Sequence, residues 1–202
     1  MKKFVILLSL SLVLLGSGEV NVVDYDSLEA RDGLVYIKDE SNPFSGRADS
    51  RYESGGLKGS ISYENGKKDG VAETWFENGK MQMETHYKDG KREGLSRAWS
   101  ESGQLIMEAT YKDDEKDGLM RTWYESGQLK SETGYSNGEK VGRIQSWYES
   151  GQPQMEATYK DGKKDGPVRM WYENGQLKME APYKDGKEDG PVRTWDETGE
   201  KL

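Results

Sequence analysis

Covalent chemistry needs unlike groups brought together, and this sequence offers few. His86 is the only histidine, and there is no cysteine among the 202 residues, so a base or nucleophile of those types would be His86 or nothing. The places at 24-residue intervals after His86 hold Thr110, Gly134, Thr158 and Pro182. The histidine therefore belongs to no recurring site and reads as a surface or strand-edge residue. Carboxylates do recur, as Glu84, Glu108, Glu132, Glu156 and Glu180. If each interval supplies two strands, neighbours in that column stand about 9 to 10 Å apart. That exceeds the ~5 to 5.5 Å of a retaining glycosidase pair and reaches the long limit of an inverting one. The loop YKDGKKDG at Tyr159 has two aspartates four residues apart, with lysine between them and no terminal bidentate glutamate, so calcium-loop geometry is missing. No enzyme activity, metal or cofactor is expected.

Recognition chemistry is better represented. Trp75, Trp99, Trp123, Trp147, Trp171 and Trp195 recur every 24 residues, with Arg97, Arg121, Arg169 and Arg193 two places before four of them. Tryptophan and arginine dominate binding hot spots, so these ten residues form a candidate binding strip for a peptide, a glycan or a partner protein. The competing reading has each indole packing over the next hairpin and holding the array together.

Regular elements must position such a strip. Tyr63, Tyr87, Tyr111, Tyr135, Tyr159 and Tyr183 share the period, as do two glycines per interval, and a period of 20 to 50 residues marks a solenoid or array. Within one unit, Leu95 to Ser100 and Gln104 to Tyr111 alternate polar and apolar residues between turn signals, which predicts strand, turn, strand, turn. Helical spacing is absent, and the glycines would break a helix. Asn174–Gly175 predicts a two-residue type I′ turn, which sets Met170 opposite Met179 and Arg169 opposite Glu180. One face then collects Val168, Met170, Tyr172, Leu177, Met179, Ala181 and Tyr183; the other collects Arg169, Trp171, Lys178 and Glu180. The same register sets Arg97 against Glu108 and Arg121 against Glu132, with exceptions where Glu73 faces Glu84 and Gln145 faces Glu156. Asp114 stands where other units have glycine, so that loop is expected to bend differently.

The fold expected is all-β, an elongated single-layer antiparallel meander of repeated β-hairpins. Hydrophobic residues are 33% of the chain, against about 45 to 50% in ordinary globular domains, which excludes a thick two-layer core. Lys2 and Lys3, the apolar run Phe4 to Leu15 and the small residues Gly16 to Gly18 have the order of a secretory signal. Twelve apolar residues are too short for the about 20 a membrane-spanning helix needs. Residues 1–18 are thus expected to be a signal peptide, 19–45 a capping hairpin turned at Asp32–Gly33, and 46–202 six 24-residue units plus a half unit. Ser17 stands where a lipid-anchored protein would need cysteine, which argues against a lipid anchor. The net charge of −8 disfavours nucleic acid and anionic membrane as partners.

Tyr-Lys-Asp-Gly-Lys-x-x-Gly followed by Trp-Tyr-Glu-Asn-Gly-Gln-Leu-Lys resembles the MORN repeat, in the bacterial variant found in YwqK-family antitoxins. The resemblance covers Gly46 to Leu202, and Asn42 to Gly46 (NPFSG) resembles that variant's lead-in. It implies serial β-hairpins in an open sheet and a binding or scaffolding role. Signal and array together predict an exported, non-enzymatic scaffold that binds another protein in the envelope or outside the cell. Neutralisation of a partner toxin and glycan binding are the alternatives. Association of two copies through the sheet ends is also allowed by the open edges.

Overall fold

A computed structural model describes residues 20–202, and the expected export segment lies outside the described residues. Two kinds of turn alternate along the chain and generate the fold. In the first, an Asp–Gly or Asn–Gly pair has both residues in the left-handed region: Asp161 and Gly162 at φ +49° and +74°, Asn137 and Gly138 at +47° and +78°. The flanking residues pair directly, Lys160 with Lys163 and Ser136 with Glu139. This is the type I′ hairpin, whose twist matches that of its strands. Asp113 and Asp114 take the same conformation, φ +50° and +72°, so the expectation of a different bend there is corrected. Aspartate tolerates the left-handed region better than most residues. Here Arg92 also steadies it, donating from its backbone N and its Nε to Asp114 Oδ1 at 3.0 and 3.2 Å.

The second kind of turn overturns the type I′ expectation at Asn174–Gly175. Gly175 N donates to Tyr172 O and Tyr172 N to Gln176 O, both at 2.9 Å, and of the loop residues only Gly175 has positive φ, +86°. This is a type I turn closed by a glycine bulge. Asn174 serves through its side chain, whose Oδ1 accepts from Gln176 N at 2.9 Å. Serine fills the same place at 54, 102, 126 and 150 because no left-handed conformation is asked of it. The longer loop also offsets the pairing beside it. Met170 faces Met179 and Arg169 faces Glu180 as predicted, but a register shift then sets Trp171 against Leu177. Trp75–Met81, Trp99–Leu105, Trp123–Leu129 and Trp147–Pro153 repeat the offset.

Among the described residues, sixteen strands form one open sheet in which successive strands are neighbours. Apart from its first strand, all its pairings are antiparallel. β1 (Val22–Asp24) pairs parallel with β4 (Gly46–Arg51), while β2 (Leu28–Arg31) and β3 (Leu34–Ile37) form a separate two-stranded sheet between them. The hairpin of β2 and β3 turns at Asp32 and Gly33. Among the described residues there is no α-helix, only a 3-10 turn at Tyr25–Ser27. Bulges recur in the type I′ hairpins as well: Lys116 faces Tyr111, then Met120 faces Ala109. Repeated bulges increase the twist of a sheet.

A compact core exists at the amino-terminal end. Phe44, Ala48 and Tyr63 are buried there, packed by Val23, Leu28, Val35, Ile37 and Ile61. The backbone of the Asn65–Gly66 type I′ turn is threaded into it, with Gly66 N donating to Phe44 O and Val35 N to Gly66 O, both at 2.8 Å.

Candidate functional site

Alternation of side chains along each strand gives the sheet two unlike faces. On one, the cross-strand register strings Glu84, Arg97, Glu108, Arg121 and Glu132 into a single column. It continues after Gln145 as Glu156, Arg169, Glu180 and Arg193. Arg97, Arg121 and Arg169 each donate from Nε to the next glutamate at 2.7 Å. The ion pair and hydrogen bond to Glu108 hold the Arg97 guanidinium charged, raising its pKa. Where Gln145 interrupts the column, Arg143 reaches diagonally to Glu156 at 2.6 Å. Arg193 lies 3.4 Å from Glu180. His86 stands beside Glu84, Nε2 to Oε1 at 3.3 Å. From Glu84 to Glu132 and from Glu156 to Glu180, column glutamates are separated by an intervening strand bearing arginine, which makes these stretches a neutralised ladder and not a carboxylate pair.

The other face is a trough. Its floor is a column of mostly small residues, in continuous register from Ala48 through Ala72, Thr85, Ser96 and Ala109 to Thr133, and it resumes with Ala157 opposite Ile144 and Ala181 opposite Val168. Four alanines of this column are 1% exposed in a sheet one layer thick, so the larger side chains beside them must fold over. Thr85 and Ser96 satisfy each other across the floor, hydroxyl to hydroxyl at 2.9 Å. Tyrosines line one flank, each covered by a cation: Lys68 over Tyr87 at 5.0 Å, Arg92 over Tyr111 at 4.1 Å, Lys116 over Tyr135 at 4.9 Å and Lys164 over Tyr183 at 4.6 Å. Such contacts contribute about 0.5 to 1 kcal/mol each at exposed sites.

All six tryptophans are half-buried, and Trp99 borders a surface groove with Thr74, Gln82, Met83, Ala98 and Ile106. The register shift beside each loop lies on the partner strand, where Lys178 is the extra residue, and it sets Trp171 against Leu177. Arg169, Met170 and Trp171 run consecutively on one strand, so alternation keeps Trp171 on the side of Arg169. Among the described residues, no cation lies over an indole and Phe44–Tyr63 is the only ring pair in contact, so the indoles do not stack on one another.

Several ties between repeats were not evident in the sequence. The hydroxyls of Tyr52, Tyr124, Tyr148 and Tyr172 donate to the backbone carbonyls of Trp75, Trp147, Trp171 and Trp195, 23 residues ahead, at 2.6 to 3.1 Å. On the edge of type I′ turns, Asp69 Oδ2, Glu93 Oε2 and Asp117 Oδ2 accept the backbone N–H of Asp89, Asp113 and Asn137 at 3.0 to 3.2 Å. The Lys88 ammonium, hydrogen-bonded to Asp69, and the Asp89 N–H hold the Asp69 carboxyl below its ordinary range. On the opposite edge each glutamine rests on the next loop. A Cβ added at Gly127 would lie 3.2 Å from Gln104 Oε1, and one at Gly199 would lie 2.9 Å from Gln176 Oε1. The only available signal was the period itself, which shows that these positions recur but not what they touch.

Among the described residues, no group of three or more acidic, histidine or cysteine side chains could hold a metal ion. Two unlike faces, repeated every 24 residues on one open sheet, define a β-hairpin repeat array. The particular family follows from the sequence of the hairpins. Residues 68–89, 92–113, 116–137, 140–161 and 164–185, together more than half the chain, match the MORN repeat variant, and the chain belongs to that family. Comparison with curated proteins gives no match.

Proposed function

We propose that the protein is an exported, non-enzymatic scaffold that binds another protein along its trough face. The observation that carries this reading is the asymmetry of the sheet. Ladder-face arginines are already engaged by glutamates, although Leu119 is 44% exposed beside them, whereas the trough leaves two methionines in the open, Met83 and Met170 at 39% exposure. Exposed apolar surface in a repeating frame is characteristic of interaction sites. MORN repeats are in general interaction repeats, in keeping with the same reading. The net charge of −8 favours a basic or neutral partner over nucleic acid or an anionic bilayer.

A second reading, neutralisation of a partner toxin, draws on the same acidic charge, which suits a basic toxin. Fractionation with amino-terminal sequencing of the isolated protein separates the two. Cleavage near Gly18 and recovery outside the cytoplasm supports the scaffold; an unprocessed cytoplasmic chain supports immunity. Binding itself is tested by comparing proteins retained by the wild-type chain and by a Met83→Glu, Met170→Glu variant. Loss of a specific partner with the variant is expected, and unchanged retention would move the site off the trough.

A further inference from the structure

One stretch of the trough differs from the rest, because the amino-terminal segment closes it. Tyr25, on the 3-10 turn between β1 and β2, adds a wall that the later repeats lack. The result is a cavity of about 280 Å³. Its floor includes Ala48, Ile61, Ala72 and Thr85, and Tyr87 and Met83 also border it. Two cations lie on its rim, Lys58 and Lys68. Among the described residues neither has a carboxylate at ion-pair distance, and their ammonium groups instead sit 5.6 Å over the Tyr52 ring and 5.0 Å over the Tyr87 ring. Glu73 also borders the cavity, but its place in register opposite Ser60 and Glu84 sets its carboxylate on the ladder face.

An apolar floor beneath two cations free of ion pairs is the complement of a molecule with an apolar body and one anionic end. We propose that this cavity binds a small aliphatic carboxylate, its chain on the Ala48–Ala72 floor and its carboxylate between the Lys58 and Lys68 ammonium groups. The size agrees: at about 280 Å³ the cavity falls just below the roughly 300 to 1,000 Å³ of ligand pockets for drug-sized molecules, which suits a free medium-chain fatty acid and is small for a lipid with two chains. The charge of the whole chain sharpens the choice. An acidic protein repels anionic bilayers at long range, whereas one carboxylate inside the cavity meets only the local lysines.

Decanoate is the probe and decanol its uncharged control, each titrated into the full-length chain below its aggregation limit and followed by calorimetry. Decanoate is expected to bind at least about tenfold more tightly than decanol, as fits a charge-assisted contact. The double variant Lys58→Gln, Lys68→Gln changes only rim side chains and should bring the two affinities level. Ala72→Phe should abolish binding of both, with far-ultraviolet circular dichroism showing whether the sheet is retained. Equal affinity for decanoate and decanol in the wild type overturns the proposal, as does no binding of either. So does a decanoate preference that survives in the lysine variant, or uptake from anionic vesicles only.

Discussion

The Tyr148 hydroxyl donates to the backbone carbonyl of Trp171 at 2.8 Å, across 23 residues of sequence. The bond joins one repeat to the next at the point where the register shifts. Phe76 and Ser100 occupy the equivalent places in two units, so the Trp99 and Trp123 carbonyls receive no such bond. Ser100 turns instead to Glu125, 2.9 Å away, which with the Ser102 hydroxyl lowers the Glu125 pKa.

Removal and addition of this hydroxyl should therefore have opposite effects. Tyr148→Phe is expected to cost about 1 kcal/mol, the usual net worth of a neutral hydrogen bond, and Phe76→Tyr to gain a similar or smaller amount. Urea midpoints of the two variants against wild type decide this. Midpoints moving the same way would show that ring packing, and not the hydroxyl, sets the stability at this position.

The charge ladder has two faults that can be repaired. Glu73 faces Glu84 directly, and like charges in that relation are destabilising. Gln145 stands between Glu132 and Glu156, where the other units place arginine. Glu73→Arg and Gln145→Arg should each stabilise the fold by roughly 0.2 to 1 kcal/mol. Because the face is open to water, the gain should shrink in 1 M salt, where the Debye length is about 3 Å. Thermal denaturation at low and high salt measures both. Gln145→Arg should give less, since Arg143 already reaches Glu156.

The fold was legible because its period and its Gly, Asn and Asp signals are local, and so was the body of the register: Arg169 opposite Glu180 needs only a turn of known size. What failed turned on one residue of loop length. Asn–Gly served in both kinds of turn, at Asn137 with left-handed φ and at Asn174 without, and the dipeptide alone does not distinguish them. The next hairpin does, through the Asn174 Nδ2 bond to Glu197 O at 2.8 Å. That one-residue difference set Leu177 against Trp171, and not against Tyr172 as a two-residue turn would. The two-faced character of the sheet was therefore readable, and the pairing beside each loop was not.

Alkaline stability should depend on Tyr63. It is buried beside Phe44, and burial, with smaller contributions from Tyr25 and Tyr87, pushes its pKa up from 10.0 to about 12. The folded state therefore holds the Tyr63 proton across an interval in which the unfolded chain has lost it. The contribution is fully present below pH 10 and is lost as pH rises to about 12, a change on the order of 2 kcal/mol. Tyr63→Phe cannot ionise. Its urea midpoint should be flatter than that of wild type over this interval, and parallel slopes would remove Tyr63 as the cause.

The amino-terminal core makes a sharper demand at Gly66 than the period suggests. Gly66 and Gly79 have nearly the same φ, +78° and +81°, so the left-handed backbone alone should charge alanine about 1 to 2 kcal/mol at either position. Their surroundings differ. A Cβ at Gly79 meets nothing within 4 Å, whereas one at Gly66 would lie 2.9 Å from Leu34 Cβ and 3.0 Å from the backbone N and O of Val35. Backbone cannot yield as a side-chain tip does, and the Val35 N to Gly66 O bond of 2.8 Å would have to lengthen. Gly66→Ala is thus expected to cost at least about 2 kcal/mol more than Gly79→Ala, in the range of core overpacking. It should also release the β2–β3 hairpin, so hydrogen exchange at the Val35 and Phe44 amides is the decisive measurement. Fast exchange there in Gly66→Ala, with the later repeats still protected, is the expected result. Equal protection in the two variants would show that the hairpin is held by its side chains and not by the threaded turn.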